Sequence, residues 1–509
     1  MRAFEVALIV VNLFALFLGT REKLTKNVLL GLAGSNGLIL GLHGAIEEFR
    51  YSMSFSYAFV FLFTIYALLR SAIEMPETKW IKLLKNTGIG LSLIFLAITS
   101  LLAYVLPVFK LPAPTGEYAV GVQYFYPTDE RRLEPFLKDS TEKRQLAVKI
   151  YYPATEDKSK PKAAYFHGSL ELVQAFASGY RLPRFMFDQL RLVETHSRER
   201  LSVSEKQAKY PVVLFSHGGG TLMETHTSQC EDLASQGYVV VAVNHTYVSS
   251  ATELPDGIVT DRDATASFDD GDPLDAITQI MADDNRYMID LLTDMNAGET
   301  ESIFAGKLDL ERIGVVGHSL GGAAAYNLAI SDSRVKAALN LDGAVYAVPD
   351  ASKPKAAFLM LANDEFGIQA IAKREPLMKK WEDMSAEEQQ GVASAYGSEQ
   401  AYIGIYKKQE QAINGLADTL KASDSLFAIE GSAHMKMADI GLYIGPGFRS
   451  LIGINGATSS EECLEIAKAA TLAFLDQHLK NGQGMESVLG EYPKLHRVKL
   501  TYAVVGIKK

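Results

Sequence analysis

Four apolar runs fill most of the first 110 residues of this 509-residue chain, and they limit its possible folds more than any other feature. Each run is close to the ~17–25 residues that an α-helix needs to cross a bilayer. Helices buried in a water-soluble core are the alternative, but four closely spaced runs with so few charges are unusual there. We therefore predict that residues 1–110 form a transmembrane region of about four helices. The runs are 4–19, 28–45, 54–69 and 88–109.

The charges between these runs predict the orientation of the spans. The first and third linkers are basic, and cytoplasmic loops of membrane proteins are enriched in Lys and Arg. With four spans, both linkers lie on one side, so the N-terminus and everything after residue 109 are expected outside the cytoplasm. The sequence thus predicts an integral, multi-pass membrane protein with an extracytoplasmic C-terminal domain. The linker cations are Arg21, Lys23 and Lys26, followed by Arg70, Lys79, Lys82 and Lys85.

Composition and short motifs argue against several classes of function. The net charge of −10 is unsuited to nucleic acid, because binding phosphates needs a basic surface. No HExxH, paired CxxC or Asp-rich calcium loop occurs, so we expect no metal and no other cofactor. Cys230 and Cys463 are interpreted as free thiols on packed helices, with a single disulfide as the alternative.

From Pro112 onward the pattern changes to alternating strands and helices. Segments 116–127 and 144–154 alternate apolar and polar residues, as a pair of antiparallel strands does. Six later runs are apolar on both faces, which suits parallel strands covered by helices. We predict that residues 111–509 form an α/β domain, with a mostly parallel sheet and antiparallel N-terminal strands. The six runs are 211–218, 238–246, 312–319, 335–343, 355–363 and 425–434.

Residues of about 170–205 interrupt this order as an insertion. The stretch has aromatic and Met side chains at helical spacing, which packing in a core explains. Its position as an insertion leaves a lid or a membrane-facing element as the alternative.

The motif Gly-His-Ser-Leu-Gly at 317–321 joins a buried strand to a helix that begins with small residues. A turn this sharp strains the serine backbone, and it is tolerated only where nearby glycines remove side-chain clashes. The turn would expose the Ser319 hydroxyl above the sheet at a helix N-terminus. We therefore predict that Ser319 is a nucleophile; an incidental serine in a tight turn is the alternative.

A serine hydroxyl needs a base within hydrogen-bond reach, and the base needs a group that orients it. His434 follows the last strand of the predicted sheet, where that base is expected. Histidines near other strand ends are predicted to be structural. These are His217, His245 and His318.

The orienting acid has two candidates. Asp342 ends the strand after the serine, and Asp364 ends the next one. The oxyanion of acyl transfer also needs preorganised N–H donors. We predict that these are the amide of Leu320, directly after the nucleophile, and the amide of Gly219 in the glycine-rich loop after the strand at 211–216.

At this point the sequence resembles the plasma-type, calcium-independent platelet-activating-factor acetylhydrolases of the α/β-hydrolase fold. The resemblance covers roughly residues 112–479. It includes the opening strands "PTGEYAVGVQYF", the loop "YPVVLFSHGGG", the motifs "GHSLGGAAA", "LNLDG" and "EGSAHMKMADIGLY", and the final helix "KAATLAFLDQHL".

This resemblance implies a catalytic triad of Ser319, Asp342 and His434, and thus favours Asp342 over Asp364. It implies an oxyanion hole made by the amides of Gly219 and Leu320. It also implies hydrolysis of short or oxidised acyl chains from the sn-2 position of phospholipids, without a metal.

Together these observations predict a membrane-anchored serine ester hydrolase, with a phospholipase-type activity on a lipid or lipophilic ester. A general carboxylesterase, lipase or polyester-type hydrolase on the same machinery is one alternative. The other is a non-catalytic, membrane-bound binding module that kept the fold and lost the chemistry.

Overall fold

The computed structural model of the chain describes residues 1–19, 21, 24–73, 78–167, 169–265, 273–348, 353–363 and 367–500. The chain forms two compact units. The first comprises Met1–Lys110, Gly168–Val193 and Leu442–Ile452. The second comprises Leu111–His167, Glu194–Gly441 and Gly453–Lys509.

Apolar helices make up most of the first unit. In the described ranges, three helical stretches are long and apolar enough to cross a membrane: Lys26–Ile46, Tyr51–Ala72 and Lys79–Val105. The first predicted span forms a 17-residue helix, shorter than these three. The helices of this unit are α1 (Ala3–Gly19), α2 (Lys26–Ile46), α3 (Ser54–Ala72), α4 (Lys79–Val105) and α5 (Leu170–Gly179).

A buried arginine connects these helices at one end through an ion pair and hydrogen bonds. Arg50 lies between α2 and α3, and its guanidinium is 2.7 Å from a carboxylate oxygen of Glu5 in α1. The same guanidinium donates to the carbonyls of Ala103 and Leu106 at the end of α4. Because a buried charge must be paired and hydrogen-bonded, these contacts favour one arrangement of the three segments.

The predicted insertion at about 170–205 is divided between the two units. Its first part belongs to the helical unit, where the Asp188 carboxylate accepts a hydrogen bond from the backbone N–H of Tyr51 at 2.7 Å. Arg191 also forms an ion pair of 2.9 Å with Glu48. The residues after Val193 belong to the second unit and form a strand there.

A mixed sheet of eleven described strands is the centre of the second unit. Its order is β15-β14-β13-β12-β11-β7-β8-β4-β1-β6-β5. Six neighbouring strands of this sheet are parallel to one another: β8, β7, β11, β12, β13 and β14. The antiparallel pair predicted from the sequence is β1 with β4. Two further strand pairs, β2 with β3 and β9 with β10, lie outside this sheet. The described strands are β1 (Ala119–Phe125), β2 (Thr128–Leu133), β3 (Lys143–Gln145), β4 (Ala147–Ala154), β5 (Lys162–Ala164), β6 (Glu194–Glu199), β7 (Tyr210–Ser216), β8 (Val239–Asn244), β9 (Ala251–Leu254), β10 (Gly257–Thr260), β11 (Leu308–His318), β12 (Val335–Leu341), β13 (Ala357–Asn363), β14 (Leu426–Ile429) and β15 (Leu495–Arg497).

Helices cover both faces of this sheet. Successive residues of β7 point to opposite sides, so Val212 and Leu214 pack in one buried cluster and Val213 and Phe215 in another. The first cluster includes residues of α7, α8 and α11, and the second includes residues of α6 and α12, where Cys230 and Cys463 are buried free thiols. The helices are α6 (Thr227–Ser235), α7 (Pro273–Ala297), α8 (Leu320–Ser331), α9 (Gly367–Lys373), α10 (Ala386–Tyr396), α11 (Glu399–Ser423), α12 (Ser460–Leu475) and α13 (Met485–Glu491).

This architecture confirms the predicted α/β class and its mostly parallel sheet. The carboxyl ends of the parallel strands lie along one edge of the sheet. Loops that follow those ends carry ligand and catalytic groups in folds of this kind.

Candidate active site

Ser319 occupies the turn between β11 and α8. Its φ of 55° and ψ of −122° lie in a region that residues with a side chain seldom adopt. A Cβ at Gly317 would lie 2.1 Å from the backbone of Gly321, and one at Gly321 would lie 2.3 Å from the carbonyl oxygen of Ser216. Close backbone packing therefore requires glycine at both positions and holds the strained turn in place.

Asp342 follows β12 directly and has a positive φ of 56°. Its carboxylate accepts hydrogen bonds from the backbone N–H of Asn363 at 2.8 Å and from the Asn363 side-chain amide at 2.6 Å. A third partner is Nδ1 of His434, at 2.7 Å. Because the carboxylate only accepts, the Nδ1 nitrogen of His434 carries a proton and Nε2 remains available as a base.

The second acid candidate, Asp364, lies outside the described residues. Its neighbour Asn363 ends β13 and supplies two of the hydrogen bonds to Asp342. Sequence reasoning did not select Asn363. The only available signal was an amide side chain at the end of the strand next to the one that carries an acid.

Ser319, Asp342 and His434 line one cavity of about 440 Å³, together with Gly219 and Leu320. Among the described residues, no hydrogen bond joins the Ser319 hydroxyl to the His434 imidazole. Catalytic hydrogen bonds of this type often tighten only in the complex with substrate. Much of the remaining wall is apolar, and it includes Val345, Met360, Ile371, Leu377, Ile413 and Leu416.

Two backbone amides at this cavity are free to bind an anion. No hydrogen bond within the described part of the chain uses the N–H of Gly219 or that of Leu320. Leu320 is the first residue of α8, so its N–H also lies at the positive end of a helix. A Cβ at Gly219 would lie 2.8 Å from a side-chain carbon of Leu320, so glycine at this position permits the two segments to approach closely.

His318, inside the serine motif, is buried and supports His434. Its Nε2 donates to the backbone carbonyl of His434 at 2.9 Å, and the two rings lie 4.5 Å apart. Burial and the neighbouring His434 hold the pKa of His318 well below its usual range, so the ring is neutral. This agrees with a structural role for His318.

The arrangement has the parts needed for acyl transfer: a strained serine, an imidazole oriented by a carboxylate, and two amides that can bind an oxyanion. Within the ranges that the structure describes, no group of three or more His, Cys, Asp or Glu side chains is arranged to hold a metal ion.

Comparisons with known proteins point to one family. The family model "Platelet-activating factor acetylhydrolase, isoform II" matches residues 105–260 and 273–490. The platelet-activating factor acetylhydrolase of Cavia porcellus is 21% identical over 395 residues, which cover 72% of this chain and 78% of the relative. The protein of that name from Gallus gallus is 23% identical and covers 73% and 84% of the two chains.

Two further similarities concern ester hydrolases. The probable 1-alkyl-2-acetylglycerophosphocholine esterase of Arthroderma benhamiae is 25% identical over 259 residues, covering 47% of this chain and 60% of that protein. The solved structure of the ferulic acid esterase from Streptomyces cinnamoneus superposes with a TM-score of 0.56 at 24% identity. That likeness covers 77% of this chain and all of the esterase, and it shows a shared fold.

Proposed function

Because this chain belongs to the platelet-activating factor acetylhydrolase isoform II family and is a serine ester hydrolase, we propose that it hydrolyses short or oxidised sn-2 acyl esters of phospholipids while anchored in a membrane. The observation that carries the proposal is the hydrogen bond of 2.7 Å between Asp342 and His434, at the cavity that Ser319 also lines.

In the proposed reaction, Ser319 Oγ attacks the ester carbonyl carbon while Nε2 of His434 takes the hydroxyl proton. The carbonyl oxygen becomes an oxyanion and accepts hydrogen bonds from the amides of Gly219 and Leu320. When the tetrahedral intermediate collapses, the lysophospholipid alcohol leaves with the proton from His434, and the acyl group stays on Ser319.

A water molecule then completes the cycle. It gives a proton to Nε2 of His434 and attacks the acyl-enzyme carbonyl through a second oxyanion. Collapse releases the carboxylic acid and returns the proton to Ser319. Asp342 stays ionised throughout, orients the imidazole and stabilises its charged form.

The walls of the cavity support a lipophilic acyl group. Aliphatic side chains from β13, α9 and α11 line it, and these favour a hydrocarbon chain over a charged one. Its volume of about 440 Å³ is near the lower end of the ~300–1,000 Å³ range of small-molecule pockets. A cavity of this size has room for an acyl chain beside Ser319, and the acetyl ester in the name of the Arthroderma benhamiae relative favours a short one.

Anchoring is supported by α2, α3 and α4, which are long and apolar enough to span a bilayer. We extend this to a multi-pass protein in which α1 also crosses. At ~1.5 Å per residue, its 17 residues are about 25 Å long, slightly short of the ~30 Å hydrocarbon core. Four spans and the basic linkers would place the catalytic unit outside the cytoplasm.

An ester panel on the full chain in detergent micelles tests the activity. It contains sn-2 acetyl and sn-2 palmitoyl phospholipids and a simple aryl acetate. The expected result is rapid turnover of the acetyl phospholipid, slow turnover of the palmitoyl one, and loss of both with Ser319→Ala. Ser159→Ala, at an exposed serine in a turn, should retain wild-type rates.

Other outcomes of this panel identify the alternatives. Equal turnover of acetyl and palmitoyl substrates would point to a general esterase or lipase. Failure of a fluorophosphonate probe to label the folded protein at Ser319 would point to a binding module without catalysis.

A further inference from the structure

The loop after β7 presents three consecutive glycines, Gly218, Gly219 and Gly220, beside the nucleophile. A Cβ at Gly218 would lie 2.9 Å from the Cβ of Ser319. Glycine peptides rotate with little steric resistance. If the peptide between Gly218 and Gly219 rotated, the Gly218 carbonyl oxygen would replace the Gly219 N–H at the cavity and would repel an oxyanion.

The Gly218 carbonyl oxygen is held by three hydrogen bonds. It accepts from Nδ1 of His217 at 2.7 Å, from the hydroxyl of Thr221 at 2.8 Å and from the backbone N–H of Thr221 at 3.2 Å. His217 and Thr221 are both buried, at 0% and 4% exposure, and neither lines the cavity. Since the C=O and N–H of one trans peptide point in opposite directions, these donors direct the Gly219 N–H the other way.

The proton that His217 needs for this bond is fixed by a second contact. The backbone N–H of His245 donates to Nε2 of His217 at 3.0 Å, so that nitrogen is an acceptor and the proton is on Nδ1. Burial and the neighbouring His245 hold the pKa of His217 well below its usual range. The ring is therefore neutral, with its single N–H directed at the Gly218 carbonyl.

His245 is in turn held by buried groups beneath the sheet edge. Its Nδ1 lies 2.9 Å from Asp284, and its Nε2 lies 3.0 Å from the Ser216 hydroxyl. Asp284 forms an ion pair of 2.7 Å with Arg144. Although Ser216, His245 and Asp284 have the residue types of a catalytic triad, all three are buried and none lines the cavity. This group supports the loop and has no access to substrate.

We propose that His217 and Thr221 are positioning residues of the oxyanion hole: they hold the Gly218 carbonyl away from the cavity and keep the Gly219 N–H directed at the developing oxyanion. The inference rests on the proposed serine-hydrolase mechanism. It assigns a function to His217 beyond general structural support and brings in Thr221, which the sequence did not single out.

Thr221→Val tests this inference, because it removes the hydroxyl donor and keeps a branched side chain of similar shape. Thr221→Ser is the matched control, since it keeps the hydroxyl. The first readout is the rate at which a fluorophosphonate phosphonylates Ser319, which also develops charge on an oxygen and needs no knowledge of the natural ester. The second readout is kcat and KM for an aryl acetate.

Loss of one complete oxyanion donor costs about 10²–10³-fold in kcat. Weakening its orientation should cost less, about 10-fold in kcat and in the labelling rate, with KM changed less than about 2-fold. Thr221→Ser should recover most of the rate. A second pair, His217→Asn and His217→Leu, repeats the comparison if Thr221→Val does not fold, because only Asn keeps an N–H near the Nδ1 position.

Two results would overturn the inference in distinguishable ways. If the wild type is labelled and Thr221→Val is labelled equally fast, or if only KM changes, the positioning role is wrong while the hydrolase mechanism stands. If the folded wild type is not labelled at Ser319, the mechanism fails and the positioning role fails with it.

Discussion

The Asp342 carboxylate accepts three hydrogen bonds at the cavity, two from Asn363 and one from His434. Both Asn363 donors lie at the end of β13, so the acid is held between two strand ends before the imidazole binds it. A carboxylate that other hydrogen bonds already hold in place can orient the imidazole without moving, as the acid of a catalytic triad must.

Asp342→Asn should therefore lower kcat by about 10⁴-fold, because an amide donor would favour the wrong tautomer of His434. Asp364→Asn is the matched control and should stay near the wild-type rate. The measurement is steady-state turnover of sn-2 acetyl phospholipid. A larger loss of kcat from Asp364→Asn than from Asp342→Asn would mean that Asp364 is the acid that orients His434.

Asp439 is a buried acid outside the catalytic set. Burial raises the pKa of its carboxyl to about 7, against hydrogen bonds from Ser228 that lower it. A raised pKa means that the folded chain binds this proton more tightly than the unfolded chain does. The stability that Asp439 contributes is thus present below about pH 4 and is lost as the pH rises to about 7.

Asp439→Asn should remove this pH dependence. Relative to the variant, the wild type should lose thermal stability between about pH 4 and pH 7, and the difference should then stay constant. Unfolding temperatures measured in detergent across this pH range check the prediction. Glu156→Gln, at an exposed carboxyl, should give a plot of unfolding temperature against pH that is parallel to that of the wild type. A parallel plot for Asp439→Asn would contradict the prediction.

The turn between β11 and α8 depends on how closely its backbone packs against β7. Gly321 leaves no room for a side chain, because a Cβ there would lie 2.3 Å from the Ser216 carbonyl oxygen and 2.7 Å from that of His217. The same contact links the nucleophile turn to the strand that leads into the oxyanion loop. A change at Gly321 would therefore disturb both parts of the site.

Gly321→Ala should destabilise the fold by at least ~1–3 kcal/mol, the usual cost of overpacking. Gly404→Ala is the matched control: it lies within α11, where a Cβ would meet nothing within 4 Å. It should stabilise by ~0.5–1 kcal/mol through the better helix propensity of alanine. Denaturant unfolding compares the two, and equal stability of both variants would refute the packing argument.

The elements that the sequence predicted best are those with the strongest patterns. β7, β8, β11, β12, β13 and β14 are apolar on both faces, and their order along the chain fixes where Ser319, Asp342 and His434 emerge. The edge strands β5 and β15 have no such pattern, because each is three residues long and is paired on one side only.

The parts of the site that the sequence did not predict depend on backbone direction. Asp342, which accepts from Asn363, has a positive φ, and residue types alone do not predict that backbone conformation. Thr221 and His217 meet at one carbonyl oxygen through a tight turn of the glycine loop. By contrast, Ser319 and Leu320 were predicted from the glycine spacing together with its position between a buried strand and a helix.

Taken as one protein, the chain combines a hydrolase unit with a helical unit that contains three candidate membrane spans. The helical unit also includes segments 168–193 and 442–452, and the Gly445 N–H donates to the carbonyl of Val105 at 2.8 Å. Later segments of the chain therefore pack with the N-terminal helices in this unit.

The proposed orientation predicts which side of the membrane each region faces. A cysteine at Lys499→Cys, exposed near the end of the described chain, should react with a membrane-impermeant maleimide in intact cells. A cysteine at Lys82→Cys, in the first turns of α4, should react only after permeabilisation. The reverse pattern would place the catalytic unit in the cytoplasm and would contradict the proposed orientation.

The most direct measurement is to locate the acyl group during turnover. Full-length protein is mixed with sn-2 acetyl phospholipid, quenched in acid within the first turnover and mapped by peptide mass spectrometry. The acetyl group should be found on Ser319, and Ser319→Ala should neither retain it nor release acetate. Acetate release by Ser319→Ala, or an acetyl group on another residue of the active wild type, would contradict the mechanism.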